Sequence, residues 1–245
     1  MGRSGPTRRY RNGTFVLDGR TAQTTVVVMN VSDAVVARRS IRNFLDTPVP
    51  TDTIVELLTR AARSPSGGNV QPWRITVISG DTVPRFLEHV RNAPPQNEPE
   101  YAIYPPSLKS PYRDTRFKVG EDMYALLGIE REDKASRYAH IGRNFEFFGA
   151  PSAIFCFVDK IMGPPQWSDL GMFLQTFMLL AQEAGLDTCP QEAWANQSDA
   201  VKSFCGTNDD LMLFCGVAIG HKDPDSAVNT LVSDREPFEN WGTVL

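Results

Sequence analysis

The clearest hydrophobic rhythm in the chain belongs to Ile54, Leu57, Leu58, Ala61 and Ala62, which recur at i, i+3, i+4, i+7 and i+8. That spacing predicts a helix with one buried face. Pro48 and Pro50 break the chain before it, Thr51 or Asp52 is placed to cap it, and it runs to about Arg63. Upstream, Ser32 or Asp33 is expected to cap a short helix over Ala34–Arg39. Downstream the period changes: Ile75 and Val77 lie on one face of a strand at Arg74–Ser79, and a helix is expected over Asp81–Asn92. From Ala93 to about Arg137 the pattern loosens. Pro94, Pro95, Pro99, Pro105, Pro106 and Pro111 interrupt it, with Tyr101, Tyr104, Tyr112 and Phe117 among them. A long irregular stretch rich in aromatics reads as a packed flap over a site.

Past a helix near Ala139–Phe148, the apolar run Ser152–Val158 predicts a buried strand. Ser168-Asp169 then opens a helix that reaches Ala184 and stops at Gly185. Leu170, Met172, Phe173, Leu174, Phe177, Met178, Leu179 and Leu180 leave that helix almost no polar face, so it is buried in a core or between subunits. Ser198–Cys205 follows as a helix and Leu211–Ile219 as a buried strand ending at Gly220. Phe238, Trp241 and Leu245 suggest a tail that docks on another surface, such as a partner subunit.

At 245 residues the chain can bury a full core. Its net charge of −4 argues against a nucleic-acid partner. The charge is uneven, however: residues 1–44 hold eight arginines against Asp18 and Asp33. Cys156, Cys189, Cys205 and Cys215 form no CxxC and no metal-ligand spacing, and His89, His140 and His221 are scattered. Metal catalysis is not expected. Buried free thiols imply a reducing, cytoplasmic compartment. No apolar run is long enough for a membrane span, and the N-terminus lacks a signal-peptide core. Residues 1–30 are expected to be a flexible N-terminal extension, with Met29 near the functional start and residues 31–245 forming the domain.

Chemistry gathers at the two ends of the first helix. Arg38-Arg39-Ser40-Ile41-Arg42 brings forked cationic donors suited to a phosphate or an electron-rich ring edge. Pro65-Ser66-Gly67-Gly68-Asn69-Val70-Gln71-Pro72-Trp73 brings hydroxyl and amide groups, with glycines that admit close backbone approach. Alone, the first reads as a solvated helix end and the second as a turn between helix and strand. Together, a fixed helix can hold both against one flat, anionic ligand.

These paired motifs resemble the N-terminal part of the FMN-dependent nitroreductase family, the segment Pro94–Phe117 with Tyr124 resembles its nitrobenzoate reductase-like branch, and the likeness runs from about Val31 to Arg235. It implies an α+β sandwich with a mostly antiparallel central sheet flanked by helices, built as a domain-swapped homodimer around the long central helix. It implies FMN as cofactor, NADH or NADPH as electron donor, and a small nitroaromatic substrate. By the same resemblance Arg38, Ser40 and Arg235 bind the ribityl and phosphate groups, Arg42 sits near flavin N1 and O2, and Arg39 is also cofactor-binding. Asn69 and Gln71 bond the ring edge or ribityl chain, and Pro65 and Ser66 are cofactor-binding beside them. Pro190, Gln191 and Glu192 belong to the segment under the flavin, where a backbone N–H faces N5; this chain has Ala193-Trp194 where many relatives place glycine after the acid.

The flavin would carry the redox chemistry. A hydride from NAD(P)H would pass to N5 and then to the nitroaromatic, which is reduced to the hydroxylamine in ping-pong alternation. Tyr112, Arg113, Arg116 and Phe117 are the candidate substrate contacts in the flap, set beside Lys109 and Lys118. Reductive dehalogenation or dehydrogenation of a small aromatic on the same scaffold, or flavin binding without catalysis, are the alternatives.

Overall fold

The structure, a computed structural model, describes residues 16–17, 20–21 and 29–245. Most of the expected N-terminal extension, including the apolar Val26-Val27-Val28, therefore lies outside the described residues. In it, β1 (Val16–Leu17) and β2 (Arg20–Thr21) pair antiparallel. The helices, in order, are α1 (Val31–Ala37), α2 (Thr51–Ala61), α3 (Thr82–Asn92), α4 (Tyr112–Leu126), α5 (Lys134–Gly142), α6 (Pro164–Glu183) and α7 (Ser198–Cys205). The sheet holds β3 (Arg74–Ser79), β4 (Ser152–Asp159), β5 (Asp187–Gln191) and β6 (Leu211–Gly220) in the order β3-β4-β6-β5, every pair antiparallel. The architecture is α+β. No described helix is long and apolar enough to cross a membrane.

Strand β4 explains why the sheet has a core on each face. Its residues alternate without a polar interruption: Ala153, Phe155 and Phe157 enter one cluster, and Ile154, Cys156 and Val158 the other. Strand β6 shares both cores, but a register shift beside Phe157 breaks its alternation. Cys215, Val217 and Ile219 face one side, whereas Leu213, two residues before Cys215, joins the opposite cluster. An extra residue in a strand does this, because it turns every later side chain to the other face. The first core is aromatic: Phe86 of α3, Phe147, Phe155 and Trp194 pack mutually. The second packs α2 and α6 on the sheet, with Trp73 stacked on Phe173 at 4.8 Å between centroids.

Several boundaries depart from the sequence reading. Helix α1 starts earlier, at Val31, because the Asn30 side chain accepts from the Asp33 N–H at 3.0 Å and takes the cap expected of Ser32 or Asp33. Helix α2 has Pro50 at its cap position with no side-chain bond, and Thr51 instead meets the Ser79 hydroxyl at 2.8 Å. Helix α6 opens at Pro164, where proline's fixed φ favours the first turn, one turn ahead of Ser168. The helix expected near Ala139–Phe148 is α5 followed by a 3-10 segment, Arg143–Gly149, which breaks where Phe147 and Phe148 take φ of 51° and 54°.

The largest correction concerns the expected irregular flap. Its second half is helical, in α4 and α5. Prolines stop at Pro111, and beyond it polar pairs stabilise the helices: Lys118 with Asp122 at 2.6 Å one turn on, and Arg137 gripping Glu121 with two bonds of 2.6 and 3.0 Å. Its first part is strapped down. The Glu100 N–H donates to Ala195 O at 2.8 Å, the Glu100 carboxylate meets Lys202 at 2.6 Å, and the Tyr101 hydroxyl donates to Phe214 O.

Candidate functional site

Beyond Ala37 the chain straightens and lies along the edge of the sheet. Ser40 forms a parallel bridge with Thr188 of β5, and the Ile41 N–H donates to Thr188 O at 3.0 Å. Phe44 and Leu45 then bond Phe148 O and His221 O at 3.2 and 2.9 Å. Ile41 and Phe44 are buried in the aromatic core. Fixing these two apolar side chains inward leaves Arg38, Arg39, Ser40 and Arg42 to line a cavity of about 600 Å³ on the other side. Val119 of α4, Gln175 of α6 and the segment Leu231–Ser233 with Arg235 complete its wall.

The electrostatics of this cavity are unbalanced. Burial, and then the neighbouring Arg235, push the Arg38 pKa below its ordinary value, with the Cys189 thiol opposing weakly. Among the described residues, none of Arg38, Arg39, Arg42 and Arg235 has a carboxylate within 4.0 Å. Neutral oxygens hold the two whose contacts are resolved. Arg42 Nη1 donates to Ser40 O at 3.2 Å, and Arg235 Nη1 donates to Ser233 O, Ser233 Oγ and Asp234 O at 3.1, 2.7 and 2.7 Å. Two guanidiniums that disfavour each other in a partly dry wall make a receptor for an anion.

Asn229 positions the motif, and sequence reading did not single it out. Its Oδ1 accepts from the Arg42 and Asn43 N–H groups at 2.9 and 3.2 Å, while its Nδ2 donates to Asn43 O and Asp223 O at 2.8 and 2.9 Å. A lone asparagine in a polar turn carries no local signal; only its place across from residue 43 gives it this role. Arg143 reinforces the same point, donating to Asn43 Oδ1 at 2.8 Å. Asn229→Ala should leave those part-buried groups unpaired and lower stability by about 1–3 kcal/mol. The urea midpoint is the measurement, and an unchanged midpoint would show that water replaces the clamp. His140, which in the sequence stood only as one of three scattered histidines, is buried with no partner at Nε2; burial and then Arg143 and Arg42 hold its pKa down at about 4. It is therefore neutral near pH 7.

The other expected site residues are placed differently. Pro65, Ser66, Asn69 and Gln71 do not line the cavity that Arg38 and Arg235 share. The loop is instead organised on α6: the Gly67 N–H points between both oxygens of the buried Asp169, each at 3.3 Å, and Ser66 Oγ accepts from the Gln71 N–H at 3.0 Å. Gly68, Asn69 and Gln71 take φ of 57°, 58° and 51° around a right-handed Val70, and the positive φ costs energy at Gln71 and marks a shape held by its surroundings.

Pro190, Gln191 and Glu192 also lie outside the cavity. The Gln191 amide is engaged internally, donating to Asn144 O at 2.8 Å and accepting from Trp194 Nε1 at 3.4 Å. Glu192 is exposed, yet lost hydration among its neighbours raises its pKa. Cys189, beside Pro190, is buried and its thiol is pushed up to about 11, which makes it a structural group with no thiolate character.

In α4, Tyr112, Arg113 and Phe117 are exposed and line neither this cavity nor the one beside it. Arg113 pairs with Asp114 at 3.0 Å, and Arg131 lies over the Phe117 ring at 5.2 Å. Arg116 differs: it lines a second cavity of about 520 Å³, which shares Val119, Ser233 and Arg235 with the first.

The fold and the site together define an α+β domain whose antiparallel sheet carries, along one edge, a cavity lined by arginines. The chain belongs to the nitroreductase family, whose sequence profile matches residues 35–221. It is 38% identical over 212 residues to a 4-nitrobenzoate reductase of Pseudomonas putida, an alignment covering 85% of this chain and 93% of that one. A chloronitrobenzene nitroreductase of Comamonas testosteroni is 34% identical over 220 residues, covering 88% and 96%. Among solved structures, the FMN- and NADPH-dependent nitroreductase NfnB from Sphigopyxis sp. strain HMH superposes with a TM-score of 0.84 at 41% identity, covering 89% of this chain and 99% of that one.

Proposed function

We propose that this protein is an FMN-dependent NAD(P)H oxidoreductase that reduces the nitro group of small nitroaromatic compounds to the hydroxylamine. The observation that carries the reading is the pair Arg38 and Arg235, two neighbouring guanidiniums without a carboxylate, in a chain similar to proteins that use FMN. A flavin phosphate dianion supplies the missing countercharge. Arg38, Arg39, Ser40 and Arg235 hold the phosphate and ribityl groups, and Arg42 presents its charge to the polar ring edge, where it favours the anionic reduced form. When bound, FMN would supply the redox chemistry, relaying two electrons per round from NAD(P)H; two rounds, with two NAD(P)H and the loss of one water, take the nitro group through the nitroso level to the hydroxylamine.

We place the active form as a homodimer. Several apolar groups remain exposed on the single chain: Val31 and Val36 of α1 at 74% and 78%, Met172 of α6, and Phe238, Trp241 and Leu245 of the tail. Such a surface on one molecule marks an interaction site. A second copy would also give a role to the loop at residues 65–71, which is organised by Asp169 yet lines no part of the chain's own cavity. The four unpaired thiols suit the cytoplasm.

The purified protein should carry yellow oxidised flavin. Under anaerobic conditions NADPH or NADH should bleach it, and a nitroaromatic should restore the colour. Protein that neither carries nor takes up FMN would overturn the reading, and bleaching without recovery would reduce it to a flavin-binding module. Residues 1–28 are read as an extension outside the catalytic domain, because the Asn30 cap begins the ordered run of helices. Deleting them should leave flavin content and turnover within about twofold of the full chain, since no cap or cavity residue is removed. Aggregation or loss of FMN in the truncated protein would show that the arm is part of the fold.

A further inference from the structure

We infer that Arg116 reads a carboxylate on the nitroaromatic substrate and so makes the enzyme selective for nitrobenzoate-type compounds, an inference that rests on the nitroreductase reading above. The cations of α4 and its flanks can be sorted by what already neutralises them. Arg113 is paired with Asp114, Lys118 with Asp122 and Asp234 at 2.6 and 2.8 Å, and Arg137 with Glu121. Lys109, Arg131 and Lys134 line neither of the two joined cavities. Arg116 lines one of them and has no carboxylate within 4.0 Å among the described residues.

The acids nearby are engaged elsewhere. Asp122 and Asp234 share the Lys118 ammonium, and the Glu236 carboxylate accepts from Asn240 Nδ2 at 2.6 Å. Arg116 shares its cavity with Lys118 and Arg235 and with the acids Asp122, Asp234 and Glu236, and of the three α4 cations it is the one that no carboxylate contacts within 4.0 Å. Its orientation is also set. The guanidinium carbon lies 4.0 Å above the centre of the Tyr104 ring, and an arginine held over an aromatic ring keeps its N–H fork free at the edge. A fork of that kind meets a carboxylate through two parallel bonds. Its cavity joins the Arg38 cavity at Val119, Ser233 and Arg235 without sharing Arg38, Arg39, Ser40 or Arg42. Arg235 thus borders both cavities, while Arg38, Arg39, Ser40 and Arg42 line the first alone and Arg116 the second alone.

The test compares 4-nitrobenzoate with uncharged nitrobenzene at saturating NADPH in wild-type, Arg116→Ala and Arg116→Lys enzymes, with FMN content measured after dialysis. We expect Arg116→Ala to raise KM for 4-nitrobenzoate about tenfold or more, with kcat little changed. The ratio of kcat/KM for 4-nitrobenzoate over nitrobenzene should fall by the same factor. Arg116→Lys, which keeps the charge and loses the fork, should fall between the two; should the alanine variant fail to fold, the lysine variant carries the test through the same ratio. Equal losses on both nitroarenes would mean that Arg116 supports α4 and does not read the carboxylate. A fall in FMN content would assign Arg116 to the flavin phosphate, and a raised KM for NADPH at an unchanged substrate ratio would assign it to the dinucleotide; each overturns the inference. Wild-type enzyme that reduces neither nitroarene overturns the underlying reading instead.

Discussion

Arg38→Ala is expected to weaken FMN binding by about 10- to 100-fold, and Arg235→Ala by a similar factor. Each removes a charge-assisted contact to a phosphate, worth roughly 1.5–3 kcal/mol, and every 1.4 kcal/mol is about tenfold in affinity. The two effects should not add. In the free protein burial first, and Arg235 second, lower the Arg38 pKa, so removing Arg235 relieves part of the strain on Arg38. The same reasoning predicts that Arg38→Ala leaves the melting temperature of the flavin-free protein unchanged or slightly higher while lowering that of the FMN-bound protein. Titration with FMN, following the quenching of its fluorescence, gives the dissociation constants. Wild-type affinity in both single variants would sink the phosphate assignment.

Trp194→Ala should be the most destabilising single change outside the sheet strands, at about 3–5 kcal/mol, the usual cost of emptying a large aromatic site in a core. Trp194 is fully buried, with its ring centroid 4.9 Å from that of Phe147 and 5.3 Å from those of Phe86, Phe145 and Phe155. Its fit depends on a glycine. A Cβ at Gly216 would lie 2.6 Å from Trp194 Cδ1 and 3.1 Å from Phe155 Cε1, so the indole rests directly on the β6 backbone. The loss should reach the site as well, because Trp194 Nε1 donates to the Gln191 side chain, next to Pro190 and Glu192. Urea unfolding of the flavin-free protein measures the first effect and FMN affinity the second. A stability loss under about 1 kcal/mol would show that the aromatic cluster closes over the gap.

The strands and helices with strong periodicity were legible because their signal is local. Ser152–Val158 and Leu211–Ile219 are short, apolar and bounded, and Ile54 to Ala62 carries one clean stripe. What misled was also local. Helix α4 has no consistent apolar face, and all of its residues are at least partly exposed, so no periodicity betrays it. Its stability comes from ion pairs one turn apart and from partners such as Arg137 and Asp234, which lie on other elements. The bulge beside Phe157 was equally hidden, since it depends on how two strands register and not on either alone.

The candidate site divides along the same line. The sequence by itself determined the chemistry: a run of arginines around Ser40, a glycine-bearing loop ending in Asn69 and Gln71, and thiols without activating neighbours. Residue type and short-range spacing carry that information. Which of these groups share one space was decided only by the tertiary structure. Arg235 stands beside Arg38 because the sheet edge draws Ser40 and Ile41 onto Thr188 while Asn229 ties residues 42 and 43 to the segment leading to Arg235. The loop at 65–71 lines no part of that space, because Asp169 on α6 fixes it elsewhere. Arg116 was one of four cations in its stretch of sequence, and only the ion pairs that neutralise Arg113 and Lys118 single it out. Charge balance is a property of neighbours in space, and the order of residues along a chain does not specify it.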